Sequence, residues 1–175
     1  MNGIRRVMPL LVLAALAAAG CMLTSGQFAV TYGLPDPITV NSSLSETFDV
    51  DLNTVSEYND HKDQIKRVED MALVGQFTNN GASEAQIEVW LVRDPAQAIG
   101  PPQQNGTRLW GPLTLAGHAS EKVDWDRSAA LFDGRQALID EVKGDGRFRL
   151  YIVTTGQVNV TVTKGSLIVV VGAAV

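Results

Sequence analysis

Apolar and polar residues alternate along most of this chain with a period of two, and that period predicts strands. In "QFAVTYGL", Phe28, Val30, Tyr32 and Leu34 fall on one side and Gln27, Ala29, Thr31 and Gly33 on the other, as in a half-buried strand. Pro35 and Pro37 end it, because proline has no N–H to give to a ladder. "ETFDVDLN" sets Phe48, Val50 and Leu52 against Asp49, Asp51 and Asn53. "MALVGQFTNNGASEAQIEVWLVRDP" reads as a hairpin, two strands around a turn at Asn79, Asn80 and Gly81. Its second strand carries Ile87, Val89 and Leu91 on one face and Glu88, Trp90 and Val92 on the other. "AQAIGPPQQNG" is a loop, and "TRLWGPLTLAGHASEKVDW" holds one or two further strands. "RFRLYIVTT" and "QVNVTVT" alternate again, and "SLIVVVGAAV" is apolar without a break, as expected of a strand covered on both faces.

Two stretches change period. In "TVSEYNDHKDQIKRVEDM", Tyr58, Ile65 and Val68 make a helical stripe, Thr54 and Glu57 have capping-box spacing, and Asp63 stands four residues before Arg67. "SAALFDGRQALIDEVKGDG" places Leu131, Leu138 and Val142 on one helical face, with Gly134 able to split it and Gly144 and Gly146 to stop it. The whole pattern predicts a mainly β chain, an antiparallel β-sandwich of about seven to nine strands with one or two short helices. At 175 residues, a single sandwich over 27–175 is the expected domain.

Composition adds exclusions. With 45% apolar and 19% charged residues the chain can build a real core. A net charge of -5 argues against nucleic acid, which needs a clustered basic surface. A single cysteine rules out an internal disulfide and zinc sites built on cysteine pairs.

That cysteine, Cys21, stands where hydrophobic sequence turns polar. Arg5 and Arg6 precede an uncharged run from Val7 to Gly20 of about 14 residues, short of the roughly 20 that a spanning helix needs. A positive start, a short apolar run and the small residues Ala17, Ala18, Ala19 and Gly20 describe a secretory signal peptide. "AAGC", Ala18 to Cys21, resembles the lipobox of bacterial lipoproteins, with Ala18 where that class usually has Leu. The resemblance covers residues 1–21 only. It implies a signal peptide over 1–20 cleaved before Cys21, a diacylglyceryl thioether on Cys21, and usually acylation of the new amino terminus. Residues 21–26 would then be a lipidated tether to the bilayer, the one partner the sequence names. The implied address is the bacterial cell envelope: the outer membrane in a Gram-negative cell, otherwise the extracytoplasmic face of the cell membrane. Each buried methylene contributes about 0.8 kcal/mol, so two or three acyl chains anchor stably. A plain signal peptide with an incidental cysteine, or an uncleaved anchor, is the other reading of the same residues.

Candidate chemistry is sparse, and the sequence calls for no cofactor. Asp49, Asp51, Asn53, Glu57 and Asp60 occupy positions 1, 3, 5, 9 and 12 of a calcium-loop pattern, which gathers oxygens for a hard cation. Thr54 replaces the glycine of such a loop and Asp60 its usual glutamate. The same acids are also explained as the wet face of a strand. His61, between Asp60 and Asp63, reads as a polar residue on a charged helix face. No G-x-S-x-G or glycine-rich phosphate loop is present.

Three functions follow. The first is a non-catalytic envelope lipoprotein serving in binding, assembly or structure. The second is a small-ligand carrier with an apolar pocket inside the sandwich. The third is a hydrolase using carboxylates around Asp124, Asp126 and His118.

Overall fold

The period-two stretches fold into strands β1 (Ser25–Gly33), β2 (Ile38–Asn41), β3 (Glu46–Asp51), β4 (Ile65–Asn79), β5 (Ala85–Val92), β6 (Thr107–Leu115), β7 (Ser120–Val123), β8 (Arg147–Thr155) and β9 (Asn159–Ala174). The computed structural model describes residues 25–41, 46–93, 101–155 and 158–174. Cys21 and the expected signal peptide, 1–20, lie outside the described residues, as does the "AQAIG" part of the loop. Ser25 and Gly26, expected in the tether, already belong to β1.

The strands form two antiparallel sheets that share one core, a β-sandwich. In the first sheet β9 is central. β1 and β2 lie end to end along one of its edges, β4 lies along the other, and β7 pairs beyond β4. The second sheet runs β3-β8-β5-β6. Val30, Met71, Leu73, Phe77, Val160, Val162, Leu167, Val169 and Val171 meet Val50, Ile87, Val89, Leu91, Leu113, Phe148, Leu150 and Ile152 in a core where each is at most 2% exposed. Alternation buries one face of each strand against the opposite sheet, which is why period two was the governing signal.

The Asn79–Gly81 turn does not close a hairpin. β4 belongs to the first sheet and β5 to the second, so this turn carries the chain across the sandwich. Asn79 is fully buried there, its Nδ2 donating to the carbonyls of Ser83 (2.8 Å), Leu115 (3.2 Å) and Ala116 (3.1 Å). A side chain committed to three carbonyls holds a corner rather than a two-residue turn.

The first helical stretch is likewise shorter than its stripe predicts. Helix α1 (Ser56–His61) is followed by a 3-10 turn at Lys62–Gln64, and Ile65 and Val68 are already in β4. Their spacing fits either element, and pairing with β9 decides. Thr54 hydrogen-bonds Asp51 O (2.7 Å) and makes no capping box, and Arg67 pairs with Glu69 rather than Asp63.

Four short α-helices stand among the described residues: α1, α2 (Pro102–Asn105), α3 (Trp125–Ala129) and α4 (Arg135–Lys143), with Gly134 separating the last two. Helices α3 and α4 close one side of the sandwich where β7 stops short of covering β4. Buried Ser128 on α3 accepts from Leu73 N–H (2.7 Å) on β4 and from Trp110 Nε1 (3.2 Å) on β6. Gly111 N–H donates to Leu131 O (2.8 Å), and Asp70 receives Trp125 Nε1 (3.1 Å) and Arg135.

β9 joins the two C-terminal sequence runs into one strand with a bulge. Val74 pairs with Ser166 and Gln76 with Thr163, so Lys164 and Gly165 together oppose Gly75. Lys164 adopts a left-handed φ of 53°. The strands touch closely here, a Cβ on Gly75 falling 3.2 Å from Gly165 Cα. Beyond the bulge Leu167, Val169 and Val171 are buried, whereas Ser166, Ile168 and Val170 are only half-buried. The strand is therefore fully covered on one face, not both.

Candidate functional site

The acids of the calcium-loop pattern are separated by the fold. Asp49 on β3 stands across from Arg149 on β8, which grips it through Nε–Oδ1 (2.6 Å) and Nη2–Oδ2 (3.0 Å). Asp51 stands across from Arg147 (Nε–Oδ2, 3.2 Å), and its Oδ1 also accepts from Asn53 Nδ2 (2.8 Å) and N–H (3.0 Å). The guanidinium of Arg149 holds the Asp49 carboxyl below its ordinary range, and the Asn53 amide does the same for Asp51. Glu57 and Asp60 are exposed on α1, where Ser56 Oγ donates to Glu57 (3.0 Å). Among the described residues no three His, Cys, Asp or Glu converge as a metal group would require. Millimolar calcium is expected to leave the melting temperatures of wild type and Asp51→Asn equally unmoved in a thermal melt. A wild-type rise that Asp51→Asn loses would bring the calcium loop back, because a ligand of the native state stabilises it by mass action.

The hydrolase candidates are likewise held apart. His118 is exposed in the β6–β7 turn with a left-handed φ of 59°, its N–H donating to Gly81 O (2.9 Å). Asp124 caps α3 by accepting Arg127 N–H (3.0 Å), and exposed Asp126 sits in the first turn of that helix. The four residues of β7, about 13 Å of strand, stand between His118 and Asp124. His61 packs its ring 5.1 Å from that of Phe28 on β1.

Two of the clefts lined by described residues bear on function. One, of about 580 Å³, lies where β4 begins and where α4 leads into β8. Its polar groups largely satisfy each other: Lys62 Nζ donates to Asn53 Oδ1 (2.8 Å), Asn53 Nδ2 to Asp145 O (2.9 Å), and Arg147 N–H to Asp145 Oδ1 (2.9 Å). Tyr58 beneath it is fully buried, donating to Val142 O (3.0 Å), and burial pushes its hydroxyl up from the ordinary range. The backbone of Gly146, at φ 73°, passes against its ring, where a Cβ would lie 2.7 Å from the hydroxyl.

The second cleft, of about 630 Å³, opens on the outer face of the first sheet beside the β9 bulge. Half-buried Val74, Trp125 and Ile168 line it, with Lys122 and Lys164 exposed at its walls. Neither lysine makes an ion pair among the described residues. None of these residues stood out in the sequence, where Ile168 was one member of an apolar run and the lysines were ordinary surface charges.

No family model matches the chain, and no curated protein does. Among solved structures, a chain of the infectious bursal disease virus particle aligns with 84% of this chain and 31% of its own length, at 11% identity and a TM-score of 0.36. A chain from the Gx strain of that virus aligns over 86% of this chain and 36% of its own, at 11% identity and a TM-score of 0.25. The chain thus spans about a third of those chains.

Proposed function

We propose that the protein is a bacterial envelope lipoprotein, tethered to the bilayer through acylated Cys21 and acting as a non-catalytic binding, assembly or structural module. The supporting observation is the position of β1: it begins at Ser25, a few residues after Cys21, and pairs at once with Ala174 of β9. An anchor there leaves the sandwich little reach and turns the α1 end, with Lys62 and Lys143, toward the bilayer. Signal peptide 1–20, a tether from Cys21 and a sandwich following it are the organisation this reading requires.

Labelling cells with radioactive palmitate tests it. Wild type is expected to carry label and partition into detergent, and Cys21→Ala to carry none and to accumulate as uncleaved or soluble precursor. Label retained by the alanine variant overturns the reading.

One observation favours the carrier reading as a second. The second cleft is large enough for a small molecule, though it lies outside the first sheet and not between the sheets, where Phe77, Trp110 and Phe148 fill the space.

A further inference from the structure

We infer that the second cleft binds an anionic amphiphile with one acyl chain, its carboxylate or phosphate head held by Lys122 and Lys164 and its chain laid along Val74, Trp125 and Ile168. The inference rests on the cleft alone, and acylation at Cys21 can fail its own test without touching it.

The volume, about 630 Å³, falls within the roughly 300–1,000 Å³ of small-molecule sites. The charge pattern selects the head. The chain carries a net charge of -5, so its field repels anions in general. Here, however, two ammonium groups without ion-pair partners among the described residues flank an apolar floor. Asp124 is the opposing carboxylate at the cleft, and it is engaged in capping α3 through Arg127 N–H.

The backbone supplies a second line. Lys164 is held in the left-handed region, costly for a side chain with a Cβ, by a bulge whose glycines press the two strands together. Such outliers persist where surrounding structure over-determines them, and bulges re-aim side chains beside sites. On the neighbouring strands Lys122 stands across from Gln76, whose Nε2 donates to Ser120 Oγ (2.7 Å), and Gln76 stands across from Thr163, the residue before Lys164, so the register sets the two lysines on the same side of the cleft's strands. Trp125 donates Nε1 to Asp70, leaving its ring at the boundary of apolar floor and solvent, a position suited to an acyl chain. Two copies of the chain meeting face to face would bring like charges together, so an amphiphile fits this surface better than a second copy.

The test uses the purified full chain with phosphatidylcholine vesicles and three photoreactive probes of equal chain length: a diazirine fatty acid, the corresponding lysophosphatidic acid and the corresponding alcohol. Labelling is mapped by mass spectrometry. At least one acidic probe is expected to label the segments 74–76, 122–125 and 163–168, about tenfold more than the alcohol. Lys122→Gln with Lys164→Asn, asparagine being tolerant of the left-handed region, is expected to lose that labelling by about tenfold. Its melting temperature should stay within about 2 °C of wild type, since both side chains are exposed. Stronger labelling by the fatty acid assigns a free carboxylate as ligand, and stronger labelling by the phosphate probe assigns a bilayer lysolipid. Equal labelling by the alcohol, labelling that ignores the two lysines or falls elsewhere, or dimerisation through these residues overturns the inference.

Discussion

Truncation after Leu167 is expected to leave no soluble, cooperatively folding sandwich. The cut removes the half of β9 that pairs with Ser25 to Thr31 of β1 and with Ile65 to Ala72 of β4. Val169 and Val171, 1% and 0% exposed, leave the core with it. Loss of a buried large aliphatic side chain costs about 2–5 kcal/mol, and a domain holds only about 5–15. The remainder would also carry two unpaired strand edges facing one another across an empty lane, an invitation to aggregate. Expression of the truncated chain and a thermal melt of its soluble fraction decide the matter. A soluble product with a cooperative transition near that of wild type would place this half of β9 outside the cooperative core.

Trp110→Ala is expected to cost about 3–5 kcal/mol and lower the melting temperature by about 6–20 °C. The indole is fully buried on β6, stacked 5.4 Å from Phe77 of β4, and so spans the gap between the sheets. Its Nε1 donates to Ser128 Oγ, the oxygen that also receives Leu73 N–H. Alanine would open a cavity where three elements meet: both sheets and the helical side wall. Trp90→Ala makes the control, because that indole is half-buried and bonds Glu88 at 3.0 Å, and about 1 kcal/mol is expected there. Equal melts for the two variants would mean that the Phe77–Trp110 stack is not central to stability.

The sequence showed the strands more clearly than their partners. Period two located the strand stretches because each strand buries one face, a local fact. The sheet change at Asn79 was hidden because a buried asparagine and a turn asparagine read alike; only the carbonyls of Leu115 and Ala116, far along the chain, distinguish them. Ile65 and Val68 suit a helix as well as a strand, and their strand state depends on β9. The acids at 49 and 51 have their partners written in the same period: Arg147 and Arg149 alternate as they do, and antiparallel pairing sets each beside its opposite charge. The apolar cleft was not legible at all. It arises from a kink at Lys164–Gly165 that merges two sequence runs into one strand, and no local residue pattern states how β4 and β7 lie against it.

The place of β9 also sets when this molecule can fold. Among the described strands the one at the centre of the first sheet is the last in chain order, and Ser25 finds its partner only at Ala174. Pairings of such long sequence separation must pay loop-closure entropy before their contacts reward it, which makes assembly slow and late. While a ribosome is still adding β9, β1, β2 and most of β4 have no sheet to join. On the proposed export route such a delay would keep the chain unfolded during its passage across the membrane, and the sandwich would close only when β9 has followed.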